Sequence, residues 1–152
     1  MTHTAHTAER APYSISTDPA RLDLDTIWGW LRESYWSPGV PRDTVARAID
    51  NSIPFGIFEA QRQVGFARVV TDRATFAYLA DVFIDPTARG RGLGVWLMEV
   101  ISAHPDLQGL RRWMLATRDA HGLYRQYGFV DTTGNTNLME IVRPDIYQRP
   151  RD

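Results

Sequence analysis

The spacing of apolar and polar residues changes several times along the chain, and each change marks a new element. Tyr13 to Thr17 alternates weakly between apolar and polar positions, which predicts a short strand. Apolar residues then recur at helical spacing in two segments, one through Ile27 and Leu31 and one through Val45 and Ile49. The pattern therefore predicts a strand followed by two helices.

From Ile53 onward the pattern is typical of strands. Polar turns separate three apolar runs, 55–59, 63–70 and 75–84, so we expect an antiparallel meander. A glycine-rich loop follows the third run. The remaining predicted elements are a helix over 95–101, a strand over 112–116, a helix over 120–127 and a final strand over 138–142.

Length and composition predict one globular domain. The chain has 152 residues, of which 43% are hydrophobic and 23% charged. Residues 1–12 show no hydrophobic period and are expected to form a flexible tail, which leaves 13–152 as the domain. No apolar stretch approaches the ~20 residues of a membrane-spanning helix, so we expect no membrane association.

Charge and cysteine content narrow the classes of partner. A net charge of -1 gives no overall attraction to nucleic acid, and the arginines are too few at any one place to form a basic face. The chain has no cysteine, which excludes disulfides and thiolate metal sites and fits a reducing compartment. No group of histidines and acids shows metal-ligand spacing. We therefore expect a cytoplasmic protein without a metal.

The glycine-rich loop, Arg89-Gly90-Arg91-Gly92-Leu93-Gly94, has the features of an anion site. Its glycines let the backbone approach a ligand, and the amides at the start of the following helix favour a phosphate. The loop lacks the Gly-Lys-Ser/Thr of a P-loop. It also follows a meander at mid-chain, whereas the glycine loop of a dinucleotide fold follows the first strand. A solvated turn is the alternative interpretation.

Two blocks together resemble the GNAT superfamily of acyl-CoA N-acyltransferases. The apolar strand 79–84 followed by Asp85-Pro86 and the glycine loop is similar to the family's motif A, Arg/Gln-x-x-Gly-x-Gly/Ala. Residues 123–129, Leu-Tyr-Arg-Gln-Tyr-Gly-Phe, are similar to its second block, which ends in Tyr-x-x-x-Gly-Phe. The two blocks occur in the family's order, and the resemblance extends from Tyr13 to Val142.

The resemblance implies an α/β (α+β) fold with a mixed, mostly antiparallel sheet flanked by helices on both faces. It also implies acetyl-CoA as co-substrate, wedged where the strand ending at Ile84 parts from the strand ending near Ala116. The implied cofactor-binding residues are Phe83, Ile84, Arg89, Gly90, Arg91, Gly92, Leu93, Gly94, Val95 and Thr117. Thr117 stands where many relatives have asparagine, which puts a side-chain bond to the pantetheine in doubt.

The resemblance also assigns catalytic candidates. Tyr124 matches the family's tyrosine beside the CoA sulfur, and a phenol with a pKa near ~10 can donate a proton to the departing thiolate at neutral pH. Asp81 stands where polyamine-type relatives carry an acid. An acid in an apolar strand either serves a ligand or is a buried hydrogen-bonding partner, and a bulge near Val82 would decide which face it occupies. A chain of waters is the alternative route for the amine proton.

The acceptor pocket of the family lies between the first two helices. Here that region supplies Glu33, Tyr35 and Trp36, and an aromatic loop with one acid suits a cationic amine. Tyr78 and His121 complete the expected acceptor-side set. We expect transfer to a primary amine of a small molecule through a ternary complex. The alternatives are a protein or peptide acetyltransferase, or a catalytically silent CoA-binding sensor. Many members of the family form homodimers, and nothing in this sequence decides between a monomer and a homodimer.

Overall fold

The computed structural model describes residues 3–132, 134 and 137–148. Its strands are β1 (Thr7–Arg10), β2 (Tyr13–Ser16), β3 (Ile53–Glu59), β4 (Arg62–Thr71), β5 (Phe76–Ile84) and β6 (Arg112–Leu115). Its α-helices are α1 (Leu24–Arg32), α2 (Arg42–Asp50), α3 (Leu93–Ser102) and α4 (His121–Arg125). Over the described part of the chain, no helix has the length and apolar character needed to cross a membrane.

One six-stranded sheet follows the order of the chain, from β1 to β6. Neighbouring strands pair antiparallel from β1 through β5, whereas β5 and β6 pair in parallel. The parallel pair requires a crossover, which α3 provides. The mixed, mostly antiparallel sheet expected from the sequence is confirmed.

Alternation along the strands gives the sheet two apolar faces, each covered by helices. Ile15, Phe55 and Val69 belong to a buried cluster with Leu97 and Ile101 of α3. Phe66 points to the other face, where it packs with buried residues of α1 and α2. Helices therefore cover both faces, as the sequence predicted.

Two irregularities in β5 create the space for a site. Asp81 has φ +56°, and the ladder with β4 shifts register between Phe66 and Arg68, which is a β-bulge. The parallel pairing with β6 ends at Leu79 and Leu115, while β5 continues to Ile84. From Ala80 onward the two strands part. The β-bulge lies at the same point, close to Val82, where the sequence pattern allowed for one.

The N-terminal residues differ from the expected tail. Thr7–Arg10 forms β1 and pairs with β2, and His6 N–H donates to Thr17 Oγ1 at 2.8 Å. An edge strand is held by backbone hydrogen bonds, so it needs no apolar pattern of its own. For this reason the pattern of residues 1–12 gave no sign of a strand.

The strand expected over 138–142 is absent from the structure. Met139 is 96% exposed and Ile141 83% exposed, and no strand pairs with these residues in the described chain. The chain instead passes to the loop between α1 and α2, where a Cβ built on Gly39 would lie 3.3 Å from the carbonyl oxygen of Tyr147. The alternating pattern therefore predicted a strand that does not form in the described part of the chain.

Candidate active site

The glycine loop leads directly into the N-terminus of α3. Gly90 has φ +79° and Gly92 has φ +74°, a left-handed conformation that glycine adopts without a steric penalty. Gly92 is the N-cap of α3, and no side chain of the described residues caps the helix. A Cβ built on either glycine would meet no atom within 4 Å, so the face of the loop is open. Its amides are therefore available to an anion.

The two arginines of the loop point away from one another. Arg89 Nε donates to the carbonyl oxygen of Ile84 at 2.9 Å, and its Cζ lies 5.4 Å from the centroid of the Phe83 ring. Arg91 is held by the Tyr13 hydroxyl and lies 3.7 Å from a carboxylate oxygen of Glu59. Arg89 therefore lies beside the parting strands, whereas Arg91 is bound to β2 and β3.

Tyr124 lies at the parted end of the sheet. It is 7% exposed, and Thr117, His121 and Tyr124 line one cavity of about 340 Å³. No hydrogen bond engages its hydroxyl among the described residues, yet no buried side-chain oxygen there lacks a partner. The hydroxyl therefore keeps some exposure to solvent, although most of the side chain is buried.

Burial determines the protonation state of Tyr124. Desolvation raises the pKa of its phenol above 10.0, and the nearby Tyr35 and Asp119 raise this pKa further. The phenol therefore keeps its proton throughout the physiological range. It can donate that proton to a stronger base that forms beside it.

Thr117 orders the start of α4. Its Oγ1 accepts a hydrogen bond from the backbone N–H of Ala120 at 3.0 Å. The threonine hydroxyl keeps one proton that it can donate.

Asp81 is fully engaged by two donors. Its Oδ2 accepts from Arg68 Nε at 2.6 Å and its Oδ1 accepts from Trp36 Nε1 at 2.8 Å. The Arg68 and Asp81 side chains are 20% and 14% exposed, so water screens the pair only in part. Asp81 thus connects the bulge of β5 to the aromatic loop after α1.

The aromatic loop crosses the mouth of the parted strands. Tyr35 and Trp36 contact each other edge to face, with ring centroids 5.0 Å apart. Trp36 binds Asp81 on the side of β5, while Tyr35 carries the guanidinium of Arg118 on the side of α4. The loop therefore connects the bulge of β5 with the segment that leads from β6 to α4.

Two other residues expected on the acceptor side, Glu33 and Tyr78, make no hydrogen bond, ion pair or ring contact with the aromatic pair in the described structure. Glu33 follows the last residue of α1, and its carboxylate lies 3.5 Å from Arg32 Nε while its side chain is 77% exposed. Tyr78 lies in the paired part of β5, opposite Val70 and Met114. The contacts recorded for Glu33 thus do not join it to Trp36 and Asp81.

Sequence reasoning missed two arginines. Arg68 interrupts an apolar run on β4, just as Asp81 does on β5, and two opposite charges in neighbouring apolar strands are a signal for an ion pair. Arg118 gave no comparable signal, because its partner Tyr35 lies far away in the sequence.

Comparison with known proteins agrees with this geometry. The sequence profile of the acetyltransferase (GNAT) domain matches residues 50–131, more than half of the chain. A Gibberella zeae protein named as an acetyltransferase, FG08082, is 36% identical over 138 residues, covering 76% of this chain and 77% of that protein. The chain thus contains an acetyltransferase domain of this family.

Solved structures show the same fold. The crystal structure of a GNAT-family protein from Xanthomonas campestris pv. campestris is 47% identical, with a TM-score of 0.86 over 98% of this chain and 99% of that chain. An acetyltransferase structure from Clostridium acetobutylicum, which contains acetyl-CoA, shares the fold at 14% identity and a TM-score of 0.60, over 91% of this chain and 95% of that one. The chain belongs to the GNAT family and is an acetyl-CoA-dependent N-acetyltransferase.

Proposed function

We propose that the protein transfers the acetyl group of acetyl-CoA directly to a primary amine of a small molecule, in a ternary complex. The observation that carries this proposal is the position of Tyr124, whose side chain lines a cavity together with Thr117 and His121, just beyond the end of β6. The aromatic loop is joined both to Asp81 of β5 and to Arg118 before α4, so it restricts access from this side, which favours a small acceptor over a peptide laid in an open groove.

The cofactor is expected along the parted strands and the start of α3. The open amides at Leu93, Gly94 and Val95 would hold the pyrophosphate. The unpaired edge of β5 at Phe83 and Ile84 would bond the pantetheine, and an N–H there would stabilise the oxygen of the tetrahedral intermediate. Arg89 is the arginine placed to add charge, because Arg91 is committed to Tyr13 and Glu59. The described residues include no group of side chains that could hold a metal.

The reaction requires two proton movements. The amine nitrogen attacks the thioester carbon, the C–S bond breaks, and the leaving thiolate takes the proton of Tyr124. The phenol suits this role because its raised pKa keeps it protonated until the thiolate forms. The proton of the attacking amine leaves through water in the cavity, and the phenolate regains its proton from solvent.

We assign Asp81 a positioning role. Both of its oxygens already accept hydrogen bonds from Arg68 and Trp36, so the carboxylate is poorly placed to take a proton from an amine. Its paired charge also leaves little attraction for a cationic acceptor. Asp81 instead holds the aromatic loop at the distance that defines the acceptor space.

The test is thiol release from acetyl-CoA, measured against a panel of amino acids, polyamines, aminoglycosides and short peptides. In Tyr124→Phe we expect kcat to fall by about 10²- to 10⁴-fold, with little change in KM for acetyl-CoA. Tyr127→Phe is the matched control, because its hydroxyl donates to the carbonyl oxygen of Val95 and takes no part in the proposed chemistry. A fully active Tyr124→Phe enzyme would refute the role of the phenol, and a protein that acetylates nothing would favour the sensor.

We also propose that the protein is a homodimer. The support is the exposed apolar segment from Leu138 to Val142, together with the edge of β6 that pairs with no described strand.

A further inference from the structure

One charged side chain at the acceptor end is not used by the proposed chemistry. The guanidinium of Arg118 stacks on the ring of Tyr35, with its Cζ 3.8 Å from the ring centroid. Tyr35 is 51% exposed, so the pair lies at the mouth of the site. A guanidinium stacked on a ring still presents its N–H groups at its edge. It can therefore bind a planar anion without leaving the tyrosine.

Two other charged side chains near the aromatic loop, Arg68 and Glu33, already lie beside an opposite charge. Arg68 is bound to Asp81, and Glu33 lies beside Arg32. Across the described parts of the chain, by contrast, no carboxylate lies within ion-pair distance of Arg118. Arg118 is thus the cation at this end of the site whose charge is open to a ligand.

We propose that Arg118 binds a carboxylate of the acceptor, and that the acceptor is a small amino acid in which the amine and the carboxylate are close together. This inference rests on the proposed acetyl transfer to a small amine and names the class of that amine. The guanidinium fork matches a carboxylate through two parallel hydrogen bonds, which a polyamine or an aminoglycoside cannot offer.

The surroundings of Tyr35 support a short acceptor. Tyr35 carries Arg118, and it is also close enough to Tyr124 to affect the charge state of that phenol. One side chain thus neighbours both the proposed carboxylate partner and the proposed acid. Asp119, next to Arg118, also influences Tyr124 and offers an opposite charge at the same end. One cation and one anion side by side match the two charges of an amino acid.

The experiment compares amino acids with their amides, which keep the amine and lose the carboxylate charge. For the wild-type protein we expect kcat/KM to be about 10- to 100-fold higher for the acid than for its amide, the range of a charge-assisted hydrogen bond. Arg118→Gln should remove this preference by raising KM for the acid, and Arg118→Lys should restore part of it. KM for acetyl-CoA should stay unchanged.

Arg111→Gln is the matched control. Arg111 is also exposed, but it lies before β6, at the opposite end of that strand from Arg118. This variant should keep the wild-type preference for the acid. A second readout needs no turnover: the melting temperature of the CoA-loaded protein with an N-acetylamino acid or its amide. We expect stabilisation by the acid alone, lost in Arg118→Gln.

The outcomes separate this inference from the proposed function. If amines without a carboxylate react as well as amino acids, or if Arg118→Gln weakens both equally, acetyl transfer stands and the amino acid class is overturned. If no acceptor on the panel reacts, the proposed function fails. The melting temperatures then test whether Arg118 binds a carboxylate. Stabilisation that depends on both the carboxylate and Arg118 would then support the anion site, and its absence would overturn it.

Discussion

His104 is an example of how one residue's surroundings govern its charge. It is 5% exposed, its Nδ1 accepts a hydrogen bond from the N–H of Asp106, and its ring lies 4.6 Å from that of His6. Burial lowers the pKa of His104, and the neighbouring His6 lowers it further. The folded protein therefore holds the neutral imidazole more strongly than the unfolded chain does.

This pKa shift predicts a loss of stability in acid. Because the folded pKa lies below the unfolded value, the stabilisation is complete above about pH 7 and is lost as the pH falls below the unfolded pKa of ~6.5. We expect the free energy of unfolding, measured with urea, to decrease between about pH 7.5 and 5.5. In His104→Asn, which can keep the hydrogen bond to Asp106, this decrease should be smaller. His121→Asn, at an exposed position, should retain the wild-type slope.

Asp81 allows a test between a positioning role and a basic one. Asp81→Asn removes the charge that Arg68 and Trp36 share, so the aromatic loop should lose its fixed position. We expect KM for the acceptor to rise about tenfold, the effect of one charged hydrogen bond, while kcat changes little and its pH profile keeps its shape. A fall in kcat of about 10²-fold or more, with loss of one limb of the profile, would instead assign the base to Asp81.

At the scale of elements, the junction between the glycine loop and α3 depends on the left-handed backbone conformation of one glycine. Gly92 has φ +74° at the N-cap of the helix. Gly92→Ala should cost about 1–2 kcal/mol of stability, because a Cβ is disfavoured in the left-handed region. It should also raise KM for acetyl-CoA by displacing the amides of α3. The measurements are urea unfolding and steady-state kinetics.

Gly29→Ala is the control for this substitution. Gly29 lies within α1, and a Cβ built there would meet no atom within 4 Å. Alanine in a helix should be neutral or stabilising by about 0.5–1 kcal/mol. If both variants behave alike, the special geometry of Gly92 is not what the cofactor site requires.

The sequence predicted the elements whose pattern is set locally. The meander, α3 and the glycine loop were found because their apolar spacing and glycines belong to one continuous segment. The sequence could not decide whether β5 has a bulge near Asp81, because a bulge depends on how β4 and β5 pair. Tyr124 was expected from the resemblance, and its role stays a prediction.

Features that depend on distant partners could not be predicted. β1 carries no apolar pattern, and the contact of Arg118 with Tyr35 joins two loops that are far apart in the sequence. The strand predicted over 138–142 was wrong for the same reason, because alternation shows that a segment can pair but not whether the fold brings it to a free edge such as that of β6.

At the scale of the whole molecule, the apolar surface is unevenly distributed. Several large apolar side chains near the C-terminal end are exposed, including Val130, Met139, Ile141 and Val142. They lie beyond β6, whose outer edge pairs with no described strand. The proposed homodimer would bury this part of the surface, and it stays a prediction.

The parting of β5 from β6 also links ligand binding to the integrity of the sheet. Beyond Leu79, one edge of β5 has no neighbouring strand among the described residues, so its backbone groups lack the ladder that the rest of the strand has. A bound cofactor would complete the sheet at this place and act as a surrogate strand. By mass action, saturation at about 100 times Kd would add about 2.7 kcal/mol to the free energy of unfolding. The cellular supply of the acyl donor would then regulate not only the rate of the enzyme but also its lifetime against proteolysis.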